Sequence, residues 1–413
     1  MRFILSLGEQ GMGSIVTFGI NLWLIRNGEA ASYGVYVFWY AVAWVLGTCQ
    51  STLTIVHLFA LPAGADRIAE RRDPERILLS ATAALLLVAT LGVGVANQIL
   101  SHTGSTLAEP AAMLFIPAFL LFQYVRAFAF SRQRVLLATC LTAGILATTA
   151  LGLGADFFLG GHRPNAARVL LIVGCAYGAC SLVVLWSLAR GLTLMYRLSE
   201  LRRFAHYVGS SGWLILGAAS GEITGRLYSF AVVGQFGTEA LARLSAAQVV
   251  IRPAWLLSAA WNSVGFPAMA RHRADGNRAG LVRTMLQGAA MSAGGSVVWS
   301  AAVIVGWPWI SSVLYRGRYE DIGILAYLWG GNVVLGSVAL ALNTAMLVLG
   351  DFRWLALLDL ASAVVCVLAI VGLLGRFDYP MAVVAIMLGQ VTQIILMTIV
   401  VTHRLRRPLA PRA

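Results

Sequence analysis

Long apolar runs, separated by short stretches of charged, glycine or proline residues, divide the chain into twelve segments. The approximate spans are 3–25, 34–62, 77–101, 111–130, 135–158, 167–190, 207–234, 241–270, 282–306, 322–349, 354–374 and 381–402. Each has about the ~20 residues that an α-helix needs to cross a bilayer. The runs are continuous. A membrane β-barrel would instead show alternating segments of ~10 residues. The pattern therefore predicts an all-α integral membrane protein with twelve transmembrane helices.

Polar residues inside these segments are not scattered. In crossing 8, Ser245, Gln248, Arg252, Trp255 and Asn262 are spaced 3, 4, 3 and 7 apart and share one helical face. Val250, Ala254, Leu257 and Trp261 make the opposite face apolar, and Pro253 predicts a kink beside Arg252. Crossing 1 carries Gln10, Ser14, Thr17 and Asn21 on one face, and crossing 2 carries Tyr40, Gly47, Gln50, Thr54 and His57. Crossing 7 has Glu222 and Arg226 four residues apart. Such stripes either join neighbouring helices or line a hydrated cavity bounded by crossings 1, 2, 7 and 8.

The halves of the chain begin alike. In each, a polar-dotted helix ends in a short loop, Arg26-Asn27-Gly28-Glu29-Ala30 or Gly237-Thr238-Glu239-Ala240. A long helix follows and closes in a proline and a basic loop, Leu61-Pro62 before Arg67 and Phe266-Pro267 before Arg271. The offset is about 205–210 residues. Six crossings per half make this a parallel repeat, which implies two lobes about an axis along the membrane normal, with a central cavity between them. The expected division is an N-terminal lobe over 1–192, a cytoplasmic amphipathic connector over 193–206, a C-terminal lobe over 207–403 and a basic tail over 404–413.

Composition agrees with a membrane solvent: the 413 residues are 59% hydrophobic and only 11% charged, against about 25% charged in soluble domains. The formal charge is +13 and every basic residue is arginine. Spread over many short loops, this charge gives no basic face for nucleic acid. Twenty-one arginines fall on one set of loops and helix ends and seven on the other. The positive-inside rule then puts both termini in the cytoplasm. The first apolar segment is long and carries Glu9, Gln10 and Asn21, unlike a cleavable signal. The five cysteines show no metal-ligand spacing or disulfide framework.

Two arginines, Arg226 and Arg252, remain deep inside apolar segments. Each costs at least ~2.5 kcal/mol in hydrocarbon. Glu222 can neutralise Arg226 from one turn away. Arg252 has no acidic residue at that spacing and could hold a phosphate or carboxylate with its planar fork of donors; the alternative is an ion pair with Glu222 from the neighbouring helix. Glu9, Glu222 and Asp359 are the candidates for carrying a coupling ion, H+ or Na+; each could equally be a pairing group. His57 reads as interfacial.

Hydrolytic chemistry is missing. Without lysine no GxxxxGK[ST] loop is possible, and neither HExxH nor GxSxG occurs. No outside loop exceeds about a dozen residues, which argues against a membrane glycosyltransferase. No cofactor, metal or catalytic residue is expected.

Three segments resemble polysaccharide-export flippases, the O-antigen flippase type of the multidrug/oligosaccharidyl-lipid/polysaccharide exporter superfamily. The first is Gly8-Glu9-Gln10 through Ser14, Asn21, Arg26, Gly34 and Tyr36. The second runs from Tyr124 to Arg134 and is similar to the family's Arg-Phe-x-Phe-x-Arg-x-Arg stretch closing helix 4. The third, Val313 to Tyr319, is similar to the leucine-(Tyr/Phe)-Gly-x-x-Tyr loop, with Leu349-Gly350-Asp351 echoing the turn after it; Arg316 stands where that loop has glycine. The resemblance implies two six-helix lobes working by alternating access in the bacterial inner membrane. It also implies an undecaprenyl-pyrophosphate-linked oligosaccharide as substrate, with membrane lipids and other polysaccharide-assembly proteins as partners. On that expectation Arg252 and Arg226 attract the pyrophosphate, while Gln248, Trp255, Asn262, Gln10, Asn21 and Gln50 line the path. The rivals are an ion-coupled drug antiporter of the same superfamily and a non-transporting scaffold of an exopolysaccharide synthase complex.

Overall fold

A computed structural model describes residues 2–61, 68–160, 164–190, 194, 204–205 and 212–406. Most of the 193–206 connector, including Tyr196, Arg197, Glu200, Arg202 and Arg203, lies outside the described residues, as do Pro62, Arg67 and the tail beyond 406. Among the described residues all regular structure is helical. The chain forms two compact units, Met1–Ile215 and Leu216–Ala413.

The first unit contains α1 (Arg2–Asn27), α2 (Ala30–Gln50), a π-helical turn (Ser51–Ile55), α3 (Val56–Ala60), α4 (Ile68–His102), α5 (Ala112–Ser131), α6 (Val135–Gly160) and α7 (Ala166–Leu188). Crossing 2 is thus one run from Ala30 to Ala60 interrupted by a wider turn. Its core is aromatic: Tyr40 and Trp44 of α2 pack edge-on against Phe119 of α5, which also meets Tyr177 of α7. Gly174 lets α7 approach the α5 backbone, where a β-carbon would lie 3.0 Å from the Phe115 Cα. Helix α4 begins about two and a half turns before the expected span and takes Glu75 and Arg76 into the helix through Pro74.

The second unit is built from α8 (Gly212–Ile251), α9 (Ala254–Ala274), α10 (Arg278–Val305), α11 (Trp307–Trp309), α12 (Gly323–Leu349), α13 (Phe352–Leu374) and α14 (Met381–Arg406). The expected loop between crossings 7 and 8 shrinks to Gly237, whose φ of 81° and ψ of 178° break α8; the left-handed φ suits glycine. Crossing 8 is the second arm of α8 followed by α9, with its break at Arg252-Pro253, as the proline predicts. The break is tight, because Trp255 and Leu256 donate their N–H groups to the Arg252 and Pro253 carbonyls. The second helix of each half is therefore interrupted, once by a π turn and once by a proline, at roughly the offset of the sequence repeat.

Helix α9 packs on α10 by side chains seated on glycines. Trp261 lies on Gly288, where a β-carbon would come within 1.8 Å of its ring, and Leu257 lies on Gly295. Gly288, Ser292, Ser296 and Ser300 of α10 are all buried at four-residue spacing, the small-residue stripe that membrane helices use to approach closely. Past α11 a second π turn (Ile310–Leu314) leads into the third motif. There Arg316 itself adopts the left-handed conformation, with φ of 55°, followed by Gly317 at 73°. Arginine thus stands in the backbone region that its glycine counterpart would favour.

Among the described residues, all twelve expected crossings fall on helices. Nine helices among the described residues are long and apolar enough to span a membrane. The three crossings not among them are 1, 7 and 8, each carrying one of the polar stripes.

Candidate functional site

Arg252 sits at the break in crossing 8. Its Nη2 donates to the Gln248 Oε1 at 2.9 Å, one turn earlier. No carboxylate lies within ion-pair distance of it among the described residues, so the alternative pairing with Glu222 is not formed. The side chain is half-buried. A neutral amide orients the guanidinium and leaves its charge uncompensated; its remaining donors make no hydrogen bond within the described residues.

Arg226 differs. Its Nε lies 3.2 Å from the Glu222 Oε2, the i,i+4 pairing read from the sequence. Both side chains are half-buried, and the pair is locally neutral.

The rest of the crossing-8 stripe divides at the break. Ser245 is buried. Trp255 lies against Gly336 of α12, where a β-carbon would come within 2.6 Å of its ring. The Asn262 Oδ1 accepts from the Thr344 hydroxyl of α12 at 2.8 Å. Between them Ser258 meets Ser337 of α12, which in turn meets Ser296 of α10, at 3.0 and 2.9 Å. Below the break this face joins helices, whereas Gln248 and Arg252 above it make no bond to a neighbouring helix among the described residues.

In the first unit, Gln10 and Ser14 are exposed on α1. Thr17 approaches the Tyr40 hydroxyl at 3.5 Å, and Asn21 accepts from the Tyr33 hydroxyl at 2.8 Å. Gln50 is fully buried and lines no open surface.

The three candidate acids differ sharply. Glu9 is 2% exposed and held by a fork: Arg126 Nε and Nη2 donate at 2.6 and 2.7 Å, and Thr142 adds a third bond at 2.8 Å. Glu222 is paired with Arg226. Asp359 of α13 takes one hydrogen bond, from Gln393 of α14 at 2.7 Å, and its second oxygen faces Gly217 of α8. No arginine pairs with it among the described residues.

A second ionic group lies at the basic end of the first unit. Glu75 is fully buried and binds two arginines: Arg71 at 3.1 Å, and Arg132 at 3.1 and 2.5 Å. Arg71 also donates to Ser131, and Arg132 to the Leu188 carbonyl, so α4, α5 and α7 are tied together. The i,i+4 spacing of Arg71 and Glu75 was the available sequence signal; in a stretch reading as a loop it carried no weight.

No family model matches this chain, and no curated protein matches it significantly. Solved structures do. A multidrug resistance MATE family transporter of the MOP superfamily, inward-facing, aligns with a TM-score of 0.73 and 11% identity over 95% of this chain and 94% of that one. The lipid II flippase MurJ, in an inward closed conformation, aligns with a TM-score of 0.73 and 10% identity over 97% and 87%. A MOP superfamily transporter from Pyrococcus furiosus, described by the reversed polarity of its binding pocket, gives 0.63 and 13% over 98% and 96%. At these identities the likeness establishes the fold, the twelve-helix, two-lobe architecture of MOP superfamily transporters.

Proposed function

We propose that this chain is a membrane carrier that flips an anionic, lipid-linked oligosaccharide, of the undecaprenyl-pyrophosphate type, from the cytoplasmic to the outer leaflet by alternating access, for polysaccharide export. The observation that carries this reading is Arg252. A guanidinium kept inside a membrane segment, without a carboxylate partner among the described residues and oriented by Gln248, suits a ligand that brings its own negative charge. A pyrophosphate does so, and its oxygens accept from the planar fork. Gln248 would hold the guanidinium in place between cycles. Gln10 and Ser14, exposed on α1, would meet sugar hydroxyls. That a lipid II flippase shares the fold supports the reading.

Asp359 is the acid we assign to ion coupling, with H+ or Na+ as the ion. It is partly buried and has no arginine partner among the described residues, whereas Glu9 and Glu222 are neutralised by neighbours.

A second reading has specific support. Neighbours with this fold include multidrug transporters, and a carboxylate such as Asp359 could exchange a cation for a drug. Purified protein in liposomes separates the readings. Flipping of a fluorescent lipid-linked oligosaccharide supports the first. Uptake of a cationic dye with no lipid flipping supports the second. Neither activity would leave the scaffold role in a polysaccharide-assembly complex.

A further inference from the structure

Gln50 is 1% exposed, and neither its amide nitrogen nor its amide oxygen has a hydrogen-bond partner among the described residues. Inside an apolar segment an amide in that state is strongly unfavourable, and such groups in native proteins commonly mark a bound water or ion. It is also the last residue before the π turn Ser51–Ile55, and π turns recur at functional positions in helices.

The surroundings supply further unmet polar groups. Gly47, one turn before Gln50, faces Phe119 and Leu120 of α5. Crossings 2 and 4 run in the same sense, and Gln50 and Tyr124 each lie about one turn further along their helices from the contact of Gly47 with Phe119 and Leu120. The Tyr124 side chain is fully buried with Thr82 of α4 beside it, yet neither hydroxyl makes a well-formed hydrogen bond. Thr52 and Thr54 do not serve the amide; their hydroxyls donate to the backbone carbonyls of Thr48, Cys49 and Gln50. Glu75 and Arg132 lie near enough to Tyr124 to act on it electrostatically.

We propose that Gln50, Tyr124 and Thr82 bound an internal water site in the first unit, set against the π turn of crossing 2. The donor and acceptor inventory selects the ligand. An amide needs an acceptor for its NH2 and a donor for its oxygen, and each hydroxyl can use either. A cation would satisfy the oxygens and leave the NH2 unmet; an anion would do the reverse. The nearby carboxylate, Glu75, is already bonded to two arginines and offers a cation no charge. Water both donates and accepts. Held there, it supplies partners for polar groups where crossing 2 departs from regular α-helix, so the turn can flex without stranding those groups in hydrocarbon. This site is independent of the identity of the transported substrate.

Rapid hydroxyl-radical footprinting of the whole protein tests it, because radicals form from water at the site of labelling. Tyr33 and Tyr315 are equally buried, but their hydroxyls are bonded to Asn21 and to the Ala246 carbonyl. Tyr124 is expected to label several-fold faster than either. Gln50→Leu and the near-isosteric Gln50→Met are each expected to slow Tyr124 toward the controls, with Tyr33 and Tyr315 still protected as proof of folding. Replacing Na+ by choline should change nothing. Labelling of Tyr124 no faster than the two controls, labelling unchanged in the folded Gln50→Met protein, or a rate that depends on Na+ would each overturn the proposal.

Discussion

The Arg252 guanidinium is oriented by Gln248, one helical turn earlier, through a single 2.9 Å bond from Nη2 to Oε1. A neutral partner aligns a charge without cancelling it. Gln248→Ala should therefore weaken transport by freeing the guanidinium, while Gln248→Glu should weaken it more by neutralising Arg252. Initial flipping rates in liposomes at matched protein content would show that order; equal rates for the two variants would exclude the orienting role.

The Glu9–Arg126 pair should behave as a stability element. Removing one partner leaves a buried charge and typically costs about 3–5 kcal/mol. Arg126→Gln alone should lower the melting temperature in detergent markedly, and Glu9→Gln with Arg126→Gln should recover much of the loss. A double variant no better than the single ones would show that the pair is not coupled.

Helix α9 is fixed to α10 through Trp261 on Gly288. Gly288→Ala places a methyl group where the indole lies, and overpacking of this kind costs about 1–3 kcal/mol. A smaller side chain, as in Trp261→Leu, should relieve part of that cost in the double variant. A thermal unfolding cycle over the four proteins measures the coupling, and additive effects would contradict the contact.

Glu109 lies in the loop between α4 and α5. Burial pushes its carboxyl above the ordinary value, and a hydrogen bond from the Ala111 N–H opposes the rise. An acid with a raised folded pKa lowers stability while ionised and ceases to do so as pH falls through that pKa. Glu109→Gln should thus slightly raise the melting temperature at neutral pH, and the difference from wild type should shrink as the medium is acidified toward pH ~4.5, near the unfolded value. A difference that widens on acidification would reverse the assignment.

If Asp359 carries the coupling ion, Asp359→Asn should abolish the dependence of flipping on a proton or sodium gradient without loss of folded protein. Gradient-driven flipping that survives in the variant would remove Asp359 from that role.

How much of this was legible in the sequence follows from range. The crossings were readable because each is a local run of apolar residues, and the breaks at Gly237 and Pro253 because glycine and proline act on their own backbone. The Arg226–Glu222 pair was readable at i,i+4 spacing. The partner of Glu9 was not, because Arg126 lies 117 residues away and periodicity carries no information about which helices meet. The crossing-8 stripe was read as one face, but only packing against α12 separates Trp255 and Asn262, which join helices, from Arg252. The π turn at Ser51–Ile55 was not readable, since apolar periodicity does not separate one wider turn from regular α-helix.

The central claim rests on Arg252. In a bacterial strain lacking its own flippase and dependent on this chain for surface polysaccharide, Arg252→Ala should leave membrane protein level normal and surface glycan absent, with Arg252→Lys restoring part of it. Full surface glycan from the Arg252→Ala strain would contradict the account.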